Sequence, residues 1–392
     1  MQKKIIALAV AGLVSGAAFA QSNVTLYGRL DLGYVYSKSD YKKFQGIENG
    51  NGINGGGSRI GVKGEEALGN GLKAIFEAEW GFAADEGSGP VDARWAFVGL
   101  AGKFGRVTVG RNNTPDDLYL GATGVMGVNG HEPIRRFRDQ ANTGTGNAGG
   151  ILVGDRWNNS IAYNSPNFSG IDFTAIYSFG EKVNTSKGGL DDNDDPVPGY
   201  SCTGSGTASV TCYKGADTSD AGKFGLGVRY ANGPLYLTAV YEARADDDSA
   251  KEWPGDGNEG YGAKGWALGG TYDFKVAKVY ANYYRVKQND HGRGGDEGSD
   301  KRTAWSLGVG VPVSGAGTIV AEYAQFKDSF VDDGNKAKGY TVGYKHTLSK
   351  RTSLYTYLVR INNDDNVSAG WTKTGITGEN QTTFTAGILH VF

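Results

Sequence analysis

Four histidines, two cysteines, two runs of aspartate and an uneven spread of arginines are the residues of this 392-residue chain whose types and spacing could do chemistry. A hydrolytic nucleophile needs a base positioned beside it. None of His131, His291, His346 and His390 stands in a nucleophile motif. His291 lies in a Gly/Asp-rich loop, while His346 and His390 fall beside Tyr344 and Phe392 near segment ends. GxGxxG occurs at Gly50–Gly55, Gly144–Gly149 and Gly255–Gly260. Each lies in a glycine-rich loop without the preceding strand and following helix that a dinucleotide site requires. The runs Asp191–Asp195 and Asp246–Asp248 offer oxygen ligands of the kind Ca²⁺ and Mg²⁺ prefer. Both lack the glycine and closing glutamate of an EF-hand, and charge runs are usually solvated. No metal, no cofactor and no enzymatic activity are therefore expected. Cys202 and Cys212 share one polar stretch, and in an exported chain they are expected to form a local disulfide.

What remains is charge. Bases stand at Arg29, Arg59, Lys63, Lys73 and Arg94, and Arg111 opens a long stretch that ends at Arg156. That stretch carries Asp116 and Asp117 early, then His131, Arg135, Arg136 and Arg138.

The elements that must position these groups alternate with a period of two. Leu26, Gly28, Leu30, Leu32, Tyr34 and Tyr36 share one face, and Thr25, Tyr27, Arg29, Asp31 and Gly33 the other. Leu72, Ala74, Phe76, Ala78 and Trp80 point one way, and Lys73, Glu77 and Glu79 the other. Strands are expected over 23–36, 58–66, 72–80, 94–101, 106–111, 157–164, 171–180, 224–230, 235–244, 264–274, 278–287, 302–311, 318–326, 338–347, 352–361 and 381–392. The connections between them alternate short and long. An even-numbered up-and-down barrel has this property, with all short turns on one side. At sixteen strands the lumen becomes an aqueous channel. A β-propeller would show a repeat of about 40 residues, and none is visible. The hydrophobic fraction of 39% is low for a compact soluble chain but suits a barrel with a wet interior. No run of about 18 apolar residues follows the N-terminus, so no membrane helix is expected.

Residues 1–20 read as a secretory signal peptide: Lys3 and Lys4, an apolar run from Ile5 to Val14, and Ala18-Phe19-Ala20 as cleavage site. The barrel then occupies 21–392. Loss of Lys3 and Lys4 takes the net charge from −2 to −4, too near neutral to suggest nucleic acid. The segment 111–156 does not alternate and is too long for a hairpin turn. Loops of that length are usually functional or disordered, and this one is expected to fold inward.

Val24-Thr25-Leu26-Tyr27-Gly28, Ser58-Arg59-Ile60-Gly61-Val62-Lys63-Gly64, Leu68-Gly69-Asn70-Gly71-Leu72-Lys73-Ala74, Phe104-Gly105 before Val109-Gly110-Arg111, and the closing His390-Val391-Phe392 resemble the Gram-negative trimeric porins of the neisserial and burkholderial type. The resemblance covers the whole mature chain. It implies an all-β fold, a sixteen-stranded antiparallel transmembrane β-barrel with a long third loop folded into the pore. It also implies a homotrimer in the outer membrane, surrounded by lipid and lipopolysaccharide, and passive diffusion of ions and small hydrophilic solutes. A substrate-selective channel for sugars or organic anions is the alternative.

Bases outnumber acids among Arg29, Arg59, Lys63, Lys73, Arg94, Arg111, Asp116, Asp117, His131, Arg135, Arg136 and Arg138, so a mild anion preference is expected. Arg111 needs a bulge to turn inward, because Val107 and Val109 set the outward face. The contact between subunits is expected on Leu26-Leu30-Leu32 and Phe384-Ile388.

Overall fold

The computed structural model describes residues 23–50, 57–86, 92–127, 132–141, 155–180, 200–203, 211–214, 222–245, 263–288, 300–329, 335–371 and 374–392. Its strands are β1 (Asn23–Lys38), β2 (Lys43–Asn49), β3 (Ser58–Gly69), β4 (Leu72–Phe82), β5 (Asp92–Gly102), β6 (Gly105–Asn113), β7 (Arg156–Asn164), β8 (Ile171–Ser178), β9 (Tyr200–Thr203), β10 (Thr211–Lys214), β11 (Lys223–Asn232), β12 (Leu235–Arg244), β13 (Ala263–Asp273), β14 (Lys278–Gln288), β15 (Asp300–Pro312), β16 (Gly317–Asp328), β17 (Lys336–Thr347), β18 (Thr352–Asn363) and β19 (Gln381–Val391). Between β6 and β7 lie α1 (Pro115–Tyr119), a 3₁₀ turn (Leu120–Thr123) and α2 (Pro133–Ala141).

Sixteen of these strands, β1, β3–β8 and β11–β19, form one closed antiparallel ring. Closure pairs the first strand with the last, from Arg29 opposite Val391 to Lys38 opposite Thr382. Phe392 completes the seam: its N–H donates to the Gly28 carbonyl at 3.0 Å and its carbonyl accepts from the Gly28 N–H at 3.1 Å. Closure removes both edges of the sheet, so ladder bonds are satisfied within the ring except where a long strand overhangs its neighbour, as β1 overhangs β3. The period of two appears directly as exposure. On β1, Leu26, Leu30 and Tyr34 are exposed on the outer surface, while Arg29 and Asp31 on the opposite face are buried at 4% and 0% exposure. His346 and His390 lie near strand ends, where Tyr344 and Thr352 hydrogen-bond to their rings.

Three additions depart from the expected array. β2 lies within the polar stretch after β1 and pairs with the upper half of that strand, leaving its lower half to β3. Its sequence, KFQGIEN, has no sustained apolar alternation; it is a strand because the long β1 offers it an unpaired edge. β9 and β10 form a separate hairpin in which Cys202 and Cys212 are Cα partners. The third addition is the helical structure between β6 and β7. Thr114 caps α1, its side chain accepting from the Asp117 N–H, and Pro115 takes the first helical position, where its missing donor costs nothing. His131, His291, the two aspartate runs and most of the GxGxxG stretches lie outside the described residues.

Candidate functional site

The stretches 114–127 and 132–141 are held against the inner wall by packing and polar anchors together. Tyr119, Leu120, Val125, Met126, Ile134 and Phe137 are buried and join a hydrophobic cluster with Tyr284, Val286, Ala304, Val320, Ala324, Phe326 and Ala337. Those wall residues occupy the inward positions of β14–β17, so the wall beneath this segment is apolar. Inward glycines make the seat. A Cβ on Gly308 would lie 2.2 Å from Val125, one on Gly339 2.2 Å from Pro133, and one on Gly227 2.7 Å from Pro115 and Tyr119. These distances are too short for any side chain, so the glycines serve close approach rather than turns.

Buried acids tie the helices down. Glu242 Oε1 accepts from the Asp116 N–H at 3.3 Å, and Glu322 Oε1 accepts from the Ile134 N–H at 3.4 Å. Both sit at helix N-termini, where orphan donors need acceptors and negative charge is favoured. Tyr119 O–H pairs with Thr174 at 2.8 Å, Asn282 bonds the Thr123 carbonyl at 2.9 Å, and Lys345 bonds the Val125 carbonyl at 2.8 Å.

Facing this segment is a group of arginines. Arg29 donates to the Gly57 carbonyl at 3.0 Å and lies 3.9 Å from Asp31. Glu79, 1% exposed, receives Arg59 at 3.3 Å on one oxygen and Arg94 at 2.5 Å on the other. Arg94 and Arg156 stand 5.3 and 5.8 Å from the centre of the Trp95 ring, within cation–π range. Asp117 lies within electrostatic reach of Arg59, Arg94 and Arg156. Burial, and next Asp155, push the Asp117 carboxyl above the usual aspartate range, and Arg156, Arg94 and Arg138 pull it partly back.

The sequence-derived residues are therefore sorted by position. Arg29, Arg59 and Arg94 come together, with Asp117 opposite. Arg94 owes its place to an irregularity: the β4–β5 register shifts between Glu79 and Trp80. By parity it would join Ala96, Val98 and Leu100 on the outer face. Lys63 is exposed four residues along β3 from Arg59, about 13 Å away, with its Nζ 5.2 Å from the Tyr27 ring centre. Lys73 pairs with Glu65 at 2.7 Å beside the Gly69–Asn70–Gly71 turn, about 26 Å down the wall; it does not reach this level. Arg111 stays opposite Ala96 on the outer face, and its guanidinium bonds the Ala93 and Arg94 carbonyls and Asn158. The register does shift between Gly110 and Asn112, but the extra residue lies on β7, so β6 keeps its alternation, with Asn112 inward like Thr108 and Arg111 outside. Asp116 and Arg138 are both buried and pair at 3.2 Å, with Asp155 accepting a second bond from Arg138 at 3.4 Å and one from Arg135 at 3.2 Å. That clamp joins α1 to α2 and faces no passing solute. Arg136 is half-buried on α2.

Asp31, Glu79, Asp155 and Arg156 were not singled out from sequence. Glu79 was at least legible as an inward position on β4. For Arg156, at the edge of a non-alternating stretch, the sequence carries no signal.

A sequence model for Gram-negative porins matches residues 7–366. The chain belongs to the Gram-negative porin family. Over the full length of both chains this porin is 33% identical to outer membrane porin protein 32 of Delftia acidovorans. It is 28% identical to the major outer membrane protein P.IB of Neisseria meningitidis serogroup A, over 99% of this chain and 98% of that one. In structure it matches the anion-selective porin from Comamonas acidovorans with a TM-score of 0.74 at 29% identity, covering 95% of this chain and all of that one. The protein is thus an outer-membrane β-barrel porin, a water-filled channel for passive diffusion of ions and small hydrophilic solutes. Its relatives are channels rather than enzymes.

Proposed function

We propose that this porin is mildly anion-preferring and that the stretches 114–127 and 132–141 narrow its passage. The observation that carries the reading is the arginine group around Glu79. Arg29, Arg59, Arg94 and Arg156 supply four positive charges against three negative ones from Asp31, Glu79 and Asp117. In wide water such charges would be screened within about 8–10 Å; between a loop and a wall they act on each passing ion. The Comamonas acidovorans porin is anion-selective, which supports the same sign here.

Reversal potential in a KCl gradient tests this. Wild type should favour chloride, and Arg59→Ala and Arg94→Ala should each shift the ratio toward potassium. Cation selectivity in wild type, or ratios unmoved by both substitutions, would refute it. Acid adds a signed check. The Asp117 carboxyl takes its proton at a higher pH than an ordinary aspartate, so lowering the pH toward the acid range removes the opposing charge early. Chloride preference should rise as pH falls, and Asp117→Asn should flatten that rise.

The assembled unit is a homotrimer in this reading. β1 and β19 bring Leu32 opposite Ile388 and Tyr36 opposite Phe384, which merges their outer faces into one apolar surface. Leu26, Leu30, Phe384 and Ile388 are exposed on it. Native mass measurement in detergent should give three chains; Leu30→Lys with Ile388→Lys should give one, and a wild type found only as monomer would end the proposal.

Residues 1–20 are a cleaved signal peptide and Cys202–Cys212 a disulfide in this reading. The pairing of the two cysteines across β9 and β10 supports the bridge, since directly opposed strand residues sit within disulfide reach. One intact-mass experiment covers both: a chain starting at Gln21 that takes up alkylating reagent only after reduction. Two thiols free without reductant, or a start at Met1, would count against the respective claim.

A further inference from the structure

Three of the four arginines in the group around Glu79 lie within ion-pair distance of a carboxylate: Arg29 with Asp31, and Arg59 and Arg94 with Glu79. Arg156 does not. Among the described residues it forms no salt bridge, and its Nε is buried without a hydrogen-bond partner. The neighbouring acids are engaged elsewhere or act from a distance. Both Glu79 oxygens are taken, Asp155 accepts from Arg135 and Arg138, and Asp117 influences Arg156 only through space.

What Arg156 lies over is the Trp95 ring, its guanidinium carbon 5.8 Å from the ring centre; Arg94 lies over the same ring at 5.3 Å. The negative face of an indole attracts a flat guanidinium, which accounts for a buried Nε that has no acceptor. The ring itself is held in place. Trp95 is the ladder partner of Glu79, and its indole nitrogen is buried. In a regular strand adjacent residues point to opposite faces. Arg94 is the extra residue of the β4–β5 register shift, so here a cation and the ring beneath it come from neighbouring positions on one face. A carboxylate in the place of Trp95 would hold Arg156 and cancel its charge. The indole holds the guanidinium and leaves its charge whole.

We propose that Trp95 is a positioning residue for ion selectivity: it keeps Arg156 in the passage as a cation that no acid neutralises, and keeps it off Asp117. The inference rests on the reading that the arginine group sets the ion preference, and adds that an uncharged side chain governs it. Without the ring, Arg156 closes on Asp117, the acid whose field it already feels, and its charge is lost to passing ions.

The test is the reversal potential of the full-length protein in planar bilayers under a KCl gradient. Trp95→Leu removes no charge, yet should move the chloride-to-potassium ratio toward potassium as far as Arg156→Gln does. Trp95→Leu/Arg156→Gln should move it no further, because both changes disable one unit. Trp95→Phe keeps a π face and should stay near wild type. Arg156→Lys keeps the charge but loses the flat face, and should show part of the same shift; it probes the contact from the other side should Trp95→Leu fail to fold. Acid titration gives a readout that packing alone does not move. With Arg156 closed on Asp117, the rise in chloride preference on acidification should begin at lower pH in Trp95→Leu than in wild type, since a paired carboxylate gives up its proton more readily. The coupling between Trp95 and Arg156 is read independently of the wild-type sign, which tests the underlying reading. A wild-type ratio in Trp95→Leu or in Arg156→Lys, additive shifts in the double variant, or Trp95→Phe as altered as Trp95→Leu would overturn the proposal. An unmoved Arg156→Gln beside shifted Arg59→Ala and Arg94→Ala would overturn it too, and would leave the anion reading standing.

Discussion

Glu79→Gln should raise chloride preference severalfold and destabilise the barrel wall beside it. Glu79 is almost fully buried and its two oxygens hold Arg59 and Arg94 apart. Glutamine keeps the shape and one acceptor but removes the charge. Two guanidiniums then face each other with no anion between them, and removing one partner of a buried pair costs about 3–5 kcal/mol. The local surplus of positive charge rises from one to two. Reversal potential reads the first effect and the urea midpoint of unfolding the second. An unchanged chloride-to-potassium ratio with a lowered midpoint would mean that Glu79 is structural only, and that the arginine group does not govern ions.

Arg138→Ala should release the inner segment from the wall. Arg138 and Asp116 are both buried, and Asp155 completes the clamp between α1 and α2. Truncation leaves Asp116 buried without its cation, again a cost of about 3–5 kcal/mol. The ring ladders do not depend on this clamp, so the loss falls on the segment. Single-channel recordings should show larger and noisier conductance, and larger neutral solutes should pass in liposome swelling. Asp116→Asn/Arg138→Met should recover wild-type conductance, because replacing a whole buried pair by neutral groups is often tolerated. If Arg138→Ala conducts like wild type, the apolar cluster and the other polar anchors hold the segment without this clamp.

Glycine serves two different purposes in this chain. Their abundance reads as turns, and Gly71 and Gly233 do occupy turn positions with positive φ. Gly227, Gly269, Gly308 and Gly339 instead lie within strands, under the inner segment. From sequence they look like weak points in alternating runs, because the chain that needs their missing side chains is more than a hundred residues away for all four. The helices of that segment were partly legible: Thr-Pro-Asp-Asp at 114–117 is an N-terminal helix signature. The stretch as a whole lacks period, which hides that local signal.

Taken alone, the sequence determined the number of barrel strands, their antiparallel order, the closure by the last strand and the direction of most side chains. These follow from a local rule: in a barrel between water and lipid each strand must show one face to each medium, so alternation is written into every strand separately. Tertiary structure alone decided which charges meet. Arg94 reaches Glu79 through a one-residue register shift, whereas Arg111 stays outside despite a shift beside it. Arg138, a base like the others in sequence, is buried as a clamp, and Arg156 arrives beside Trp95 from the far end of the loop. Register shifts and loop docking depend on the fit between segments distant in the chain, so no local pattern records them.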